Sequence, residues 1–83
     1  MLQSEFYNHL YNIEMSCHYR PKQYRYGQML YNASFNEFSK YDPAWFKPSN
    51  IENIDPFYND NNISAFKNEL IKHFSKYINY NTK

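Results

Sequence analysis

Wound as a helix, the stretch from Arg25 to Phe38 carries apolar side chains on two opposite sides. Tyr26, Met29, Leu30 and Ala33 gather on one, and Tyr31, Phe35 and Phe38 on the other. Gln28, Asn32 and Ser39 form a narrow polar seam between them. An ordinary surface helix has one apolar stripe, because only one side meets the core. Two stripes predict neighbours on both sides, hence a central helix over about residues 25–38.

Before it, Phe6, Leu10, Ile13 and Cys17 recur at helical spacing, with Leu2 extending the stripe and Tyr7 and Tyr11 on a more exposed flank. Ser4 is the expected cap, Glu5 suits the first turn, and Pro21 closes a helix over roughly residues 4–18. After the central helix, Asp42-Pro43 is a cap and first-position pair. It predicts one short turn over Pro43–Phe46, stopped by Pro48, with Trp45 or Phe46 plugging the core. Residues 49–59 read as an ordered loop, since Ile51, Ile54, Phe57 and Tyr58 are too apolar for a free linker. Ile63, Phe66, Leu70, Phe74 and Tyr77 make the last stripe, edged by Ile71 and Ile78. Asp60 or Asn61 is its expected cap. Fraying is expected from Asn79 onward. The resulting fold class is all-α: one domain over residues 1–83, with three main helices plus a short helical turn.

Composition changes how such a bundle is stabilised. With 83 residues there is room for one small core. Tyr 10, Phe 7 and Trp 1 put 22% of residues in the aromatic class, and each ring buries about 150–250 Å². Valine is absent and Gly27 is the only glycine, which disfavours strands and tight hairpins. A formal net charge of +1 gives no overall pull toward nucleic acid or an acidic membrane. Cys17 is the only cysteine, so no intrachain disulfide forms. The start lacks a signal-peptide pattern and no apolar run is long enough to span a bilayer, so a cytoplasmic protein is expected.

Two pieces stand out: Arg25-Tyr-Gly-Gln-Met-Leu-Tyr-Asn32, and Ile54-Asp-Pro-Phe-Tyr-Asn-Asp60 followed by Ile63 and Phe66. As an ordered pair they resemble a loosely defined group of small single-domain proteins from phages and bacteria, mostly of unassigned function. The group usually carries Gly-Thr shortly before Asp-Pro-Phe-Tyr, where this chain has Glu52-Asn53-Ile54. The resemblance implies a small helical fold and brings no activity with it. Physically, Arg25, Gly27, Gln28, Asn32, Asp55, Pro56, Phe57 and Tyr58 read as scaffold. Arg25 has a fork of donors suited to a carboxylate, with Asp55 as the expected partner. Gln28 and Asn32 are placed to satisfy the backbone of the 49–59 loop. Gly27 fits a close backbone approach. A ligand site on the same residues is the competing reading.

Chemistry is thinly represented. His9, His18, His73 and Cys17 show no metal-ligand spacing, and adjacent Cys17 and His18 point to different sides of a helix, so neither a metal nor a cofactor is expected. Cys17 reads as core, His73 as the edge of a stripe. No general base lies in reach of Cys17 along its own helix, and Asp42, Asp55 and Asp60 sit where caps and turns use Asp. No enzymatic activity is expected.

Binding is better supported. Tyr19, Arg20, Lys22, Tyr24, Arg25 and Tyr26 interleave basic and aromatic side chains, a mixture able to stack bases and hold phosphates. The chain also has more rings than its core can absorb, leaving Tyr7, Tyr11, Tyr19, Tyr24, Trp45 and Tyr80 as candidates for exposure. Tyr and Trp are enriched at interface hot spots. The expected function is a non-enzymatic phage-type accessory protein that binds and blocks a host or defence protein. Its interface would be Tyr19, Arg20, Lys22 and Tyr24 with Trp45. A homodimer is a further possibility, and a nucleic-acid-binding regulator using residues 19–26 is the alternative.

Overall fold

The computed structural model describes residues 1–80. Four α-helices form: α1 (Gln3–His18), α2 (Tyr26–Phe38), α3 (Pro48–Ile51) and α4 (Ile63–Phe74), with 3-10 turns at Pro43–Phe46, Asp60–Asn62 and Ser75–Tyr77. No strand occurs among the described residues, and no helix is long and apolar enough to cross a membrane. α1 and α2 are an antiparallel pair, for Phe6 meets Phe38 while Glu14 meets Tyr26. α4 runs alongside α2 in the same direction: Lys67 reaches Tyr26, and the Phe74 ring stacks on Phe38 at 4.7 Å. Central placement of α2 is therefore as its two-sided pattern predicts.

The core is built from rings. Phe38, Phe66 and Phe74 are fully buried beside Leu30, Leu70, Ile51 and Cys17. Phe46 stacks on Phe74 at 5.8 Å, and Trp45 stands edge-on to Phe74 at 5.5 Å. Such ring pairs add about 0.5–1.5 kcal/mol beyond the area they bury, which offsets the small number of aliphatics. The second stripe of α2 is buried unevenly. Phe38 is enclosed and Tyr31 half-buried, with its hydroxyl donating to the Phe46 carbonyl, whereas Phe35 projects at the rim.

Several local expectations are corrected. The cap of α1 is Leu2, not Ser4, and its N–H donates to Glu5 Oε1 at 2.7 Å. The Pro43–Phe46 turn ends before Pro48 as expected, but residues 49–59 are not all loop: Pro48 starts α3, because its fixed φ and missing N–H suit a first helical position. Neither Asp60 nor Asn61 caps α4. Asn59 caps the preceding 3-10 turn by accepting from the Asn61 N–H. Tyr77 leaves the α4 stripe as the helix tightens into a 3-10 turn, and Ile78 takes the buried place. The Asn79 N–H donates to the Met1 carbonyl at 2.7 Å, so fraying does not begin there, and the rest of that expectation lies outside the described residues.

The two motif pieces meet. Arg25 pairs with Asp60 at 3.0 Å, not with Asp55, and also donates to the Phe57 carbonyl. Asp55 instead accepts from the Phe57 N–H, a local turn bond. Asp60 Oδ1 takes the Gly27 N–H at 3.1 Å, supplying from 33 positions away the cap that the start of α2 lacks. Gln28 and Asn32 do not hold the loop. Asn62 does, donating to the Asp55 carbonyl at 2.9 Å. Pro56 is buried against α2, and a Cβ on Gly27 would fall on the Pro56 carbonyl oxygen and 2.5 Å from Asp60 Oδ1.

Two substitutions in α2 should act with opposite sign. Gly27→Ala should lose about 1–3 kcal/mol through overpacking against backbone, despite the better helix propensity of alanine. Ser34 is fully buried and its hydroxyl has no hydrogen-bond partner among the described residues. Ser34→Ala removes an unsatisfied group and should gain up to about 1 kcal/mol. Urea denaturation of the two variants checks both.

Candidate functional site

The helix face that α1 turns to solvent is tyrosine-lined. Burying Phe6, Ile13 and Cys17 against α2 leaves Tyr7 and Tyr11, one turn apart, pointing outward. They are 58% and 61% exposed, and Tyr19, just past the helix end, is 75% exposed. Met15 and His18 continue the same face, and the His18 ring meets Tyr19 edge-on at 4.7 Å. Glu14, Met15, His18, Tyr19, Arg20 and Tyr26 line an open groove where this face runs into the α1–α2 connection.

That connection is only partly as the sequence implies. Tyr19 and Lys22 are exposed and Tyr24 is half-buried. Arg20 is committed to scaffold: its guanidinium donates to the Cys17 carbonyl at 2.9 Å and the Tyr24 carbonyl at 3.0 Å, closing the end of α1. It also lies 5.4 Å from the Tyr26 ring centre. Trp45 does not join this segment. Its ring contacts are Phe46, Phe66, His73 and Phe74, so it packs against α4. Periodicity along α1 marked Tyr7 and Tyr11 as a flank, and both are exposed.

Beneath the groove lies a charged cluster. Lys67 Nζ donates to the Tyr26 hydroxyl at 2.9 Å, which in turn donates to Glu14 at 3.3 Å. Burial would lower the Lys67 pKa, but the bond to Tyr26 and the charge of Glu14 outweigh it and hold the ammonium above its ordinary value. Burial pushes the Cys17 thiol up, as expected for a core cysteine and opposite to an activated nucleophile.

Two histidine–carboxylate pairs tie the far end of the bundle. His9 Nδ1 meets Glu37 at 2.7 Å, and its Nε2 meets the Tyr41 hydroxyl at 3.1 Å. With Nδ1 protonated toward the carboxylate, Nε2 of the neutral ring accepts from Tyr41. The order carboxylate, imidazole, hydroxyl is that of a proton relay. Here the Tyr41 ring is packed between Phe38 and Tyr77, and the pair fastens α1 to α2. His73 Nε2 meets Asp42 at 2.8 Å, with the Tyr77 hydroxyl donating to the same oxygen at 3.2 Å. Asp42 thus stands at the cap position of the Pro43–Phe46 turn as expected, while its carboxylate makes no cap hydrogen bond and holds α4. Among the described residues no group of three or more His, Cys, Asp or Glu could hold a metal ion.

The His73 hydrogen bond, helped by Tyr77 and opposed by desolvation, holds the Asp42 carboxyl below its ordinary 3.8. A depressed folded-state pKa contributes stability that is present above the unfolded value and is lost as pH falls through the folded one. The melting temperature should therefore drop below about pH 4, and Asp42→Asn should flatten that acid limb while lowering the plateau at neutral pH. Calorimetry from pH 7 to pH 2.5, approximate limits for a carboxylate titration, measures both.

No protein-family model, no curated protein and no solved structure matches this chain.

Proposed function

We propose that this chain is a non-enzymatic protein-binding module that engages its partner with the tyrosine face of α1. The observation that carries this reading is the exposure of Tyr7 and Tyr11, one turn apart on α1, and of Tyr19 just past its end, each more than half exposed. Tyrosine on a fixed helix offers a large amphipathic contact at small entropic cost, and it is enriched among interface hot spots. Lys22 adds a free cation at one end, where it would steer an acidic partner. The concrete form of the proposal is a phage-type accessory protein of the host cytoplasm that blocks a host or defence complex by covering its surface. That form rests on the motif resemblance.

Residues 19–26 support the nucleic-acid reading less well. Arg20 is held by two carbonyls and Arg25 by Asp60 and Phe57, so Lys22 alone offers an uncommitted charge there. A single-strand binder uses a basic groove along the backbone path.

The tagged full chain should retain its partner from a lysate after nuclease treatment. Tyr7→Ser with Tyr11→Ser should weaken that complex at least about 30-fold in calorimetric titration while leaving the circular dichroism spectrum unchanged. Binding to DNA or RNA at low salt that Lys22→Glu abolishes would overturn the proposal in favour of a nucleic-acid regulator.

A further inference from the structure

Charge is nearly absent from α2. Of its 13 residues only Glu37 is ionisable to a carboxylate or ammonium, and it turns inward to His9 and Asn12 of α1. The outer face of α2 is made of exposed Phe35 and Asn36 with half-buried Gln28, Asn32 and Ser39. The side-chain amides of Gln28, Asn32 and Asn36 make no hydrogen bond to any described residue, so they are available outward. Phe35 is 41% exposed among them. Its ring stacks on Tyr31, which stands edge-on to Phe57 at 5.7 Å, and Phe57 meets Tyr58, the most exposed large side chain at 85%. An aromatic row thus borders an amide row, and beside Phe35 lies a shallow depression lined by Tyr31, Asn32 and Asn36.

We infer that this face pairs with the same face of a second copy of the chain, giving a two-fold homodimer. The argument is self-complementarity. In an isologous interface a side chain near the axis meets its own duplicate. A charged residue there meets its like and repels, whereas an amide carries both donor and acceptor and bonds to another amide. Rings likewise stack on or stand edge-to-face with rings. A two-fold axis through the middle of the face, at Asn32, makes the paired helices antiparallel. Each α2 N-terminus then lies near the other's C-terminus, where the opposed dipoles attract. Depletion of charge with enrichment of aromatics is also the composition of an interface centre. A helix of this length is about 20 Å long, so the contact falls toward the small end of specific interfaces and the dimer should form in the micromolar range. The surface differs from the α1 tyrosine face, so the dimer and the proposed partner complex are independent.

Sedimentation velocity on the full chain, from about 5 to 500 µM to span such an affinity, tests this. The expected result is a weight-average mass rising from 10.2 kDa toward twice that value, with an association constant that 0.5 M NaCl, a roughly 4 Å screening length, leaves unchanged. Asn32→Lys should weaken association at least about 30-fold by setting like charges across the axis. Asn36→Lys, at an exposed position, is the control for folding and should act in the same direction. Tyr11→Ser should have no effect. A single-chain mass at every concentration overturns the inference, and so does a dimer that neither lysine variant weakens. Either of those outcomes leaves the α1 reading standing, because partner capture is measured separately.

Discussion

One absent methyl group decides how the two halves of this chain meet. Gly27 lets the Pro56 carbonyl and the Asp60 carboxylate come against the first turn of α2, closer than any side chain would allow. From that contact several things follow together. The start of α2 gains a cap from a distant residue, Arg25 gains a carboxylate and a carbonyl, and the loop after α3 is fixed over the helix. With the loop in place, α4 begins where Phe66, Leu70 and Phe74 face α2. A surface ion pair such as Arg25–Asp60 is worth only about 0–1 kcal/mol by itself. Its weight here comes from sharing one oxygen with a backbone N–H that has no other cap.

Around that junction the molecule substitutes rings for the aliphatic mass it lacks. Phe38, Phe46, Phe74 and Trp45 meet one another in stacked and edge-on pairs, and tyrosines at the margin bring hydroxyls that find partners. Tyr26, Tyr31, Tyr41 and Tyr77 each bury part of a ring and present the oxygen to a carboxylate, a carbonyl or an imidazole. The same residues thus serve packing and polar satisfaction, which is how so short a chain encloses histidine–carboxylate pairs without stranding them. Ser34 is the exception, a buried hydroxyl with no hydrogen-bond partner among the described residues.

What remains outside divides into two surfaces of different chemistry. α1 offers exposed tyrosines with cationic and acidic neighbours, the surface assigned above to the proposed partner complex. α2 offers amides and rings without charge, suited to its own duplicate. His9 and His73 are engaged with carboxylates and tyrosines, and the Cys17 thiol is shut inside.

The Asp42-Pro43 pair with Pro48 marked the turn at Pro43–Phe46, and helical periodicity by itself determined the three long helices, the central position of α2 and the burial of Cys17. Those features depend on which side chains share a face, and spacing along the chain sets that. It also singled out Gly27 as a close approach, because a glycine in a first helical turn costs stability without a reason. Pairing across the fold was a different matter. Asp60 rather than Asp55 answers Arg25, since Asp55 is used up by the N–H two residues on, and which of two nearby carboxylates faces inward depends on the course of the loop. Trp45 went to α4 and Arg20 to the end of α1 for the same reason: their partners lie on other elements or are backbone carbonyls whose direction no residue identity reveals. Spacing fixes neighbours on one element, while only three-dimensional packing selects among competing partners on different ones.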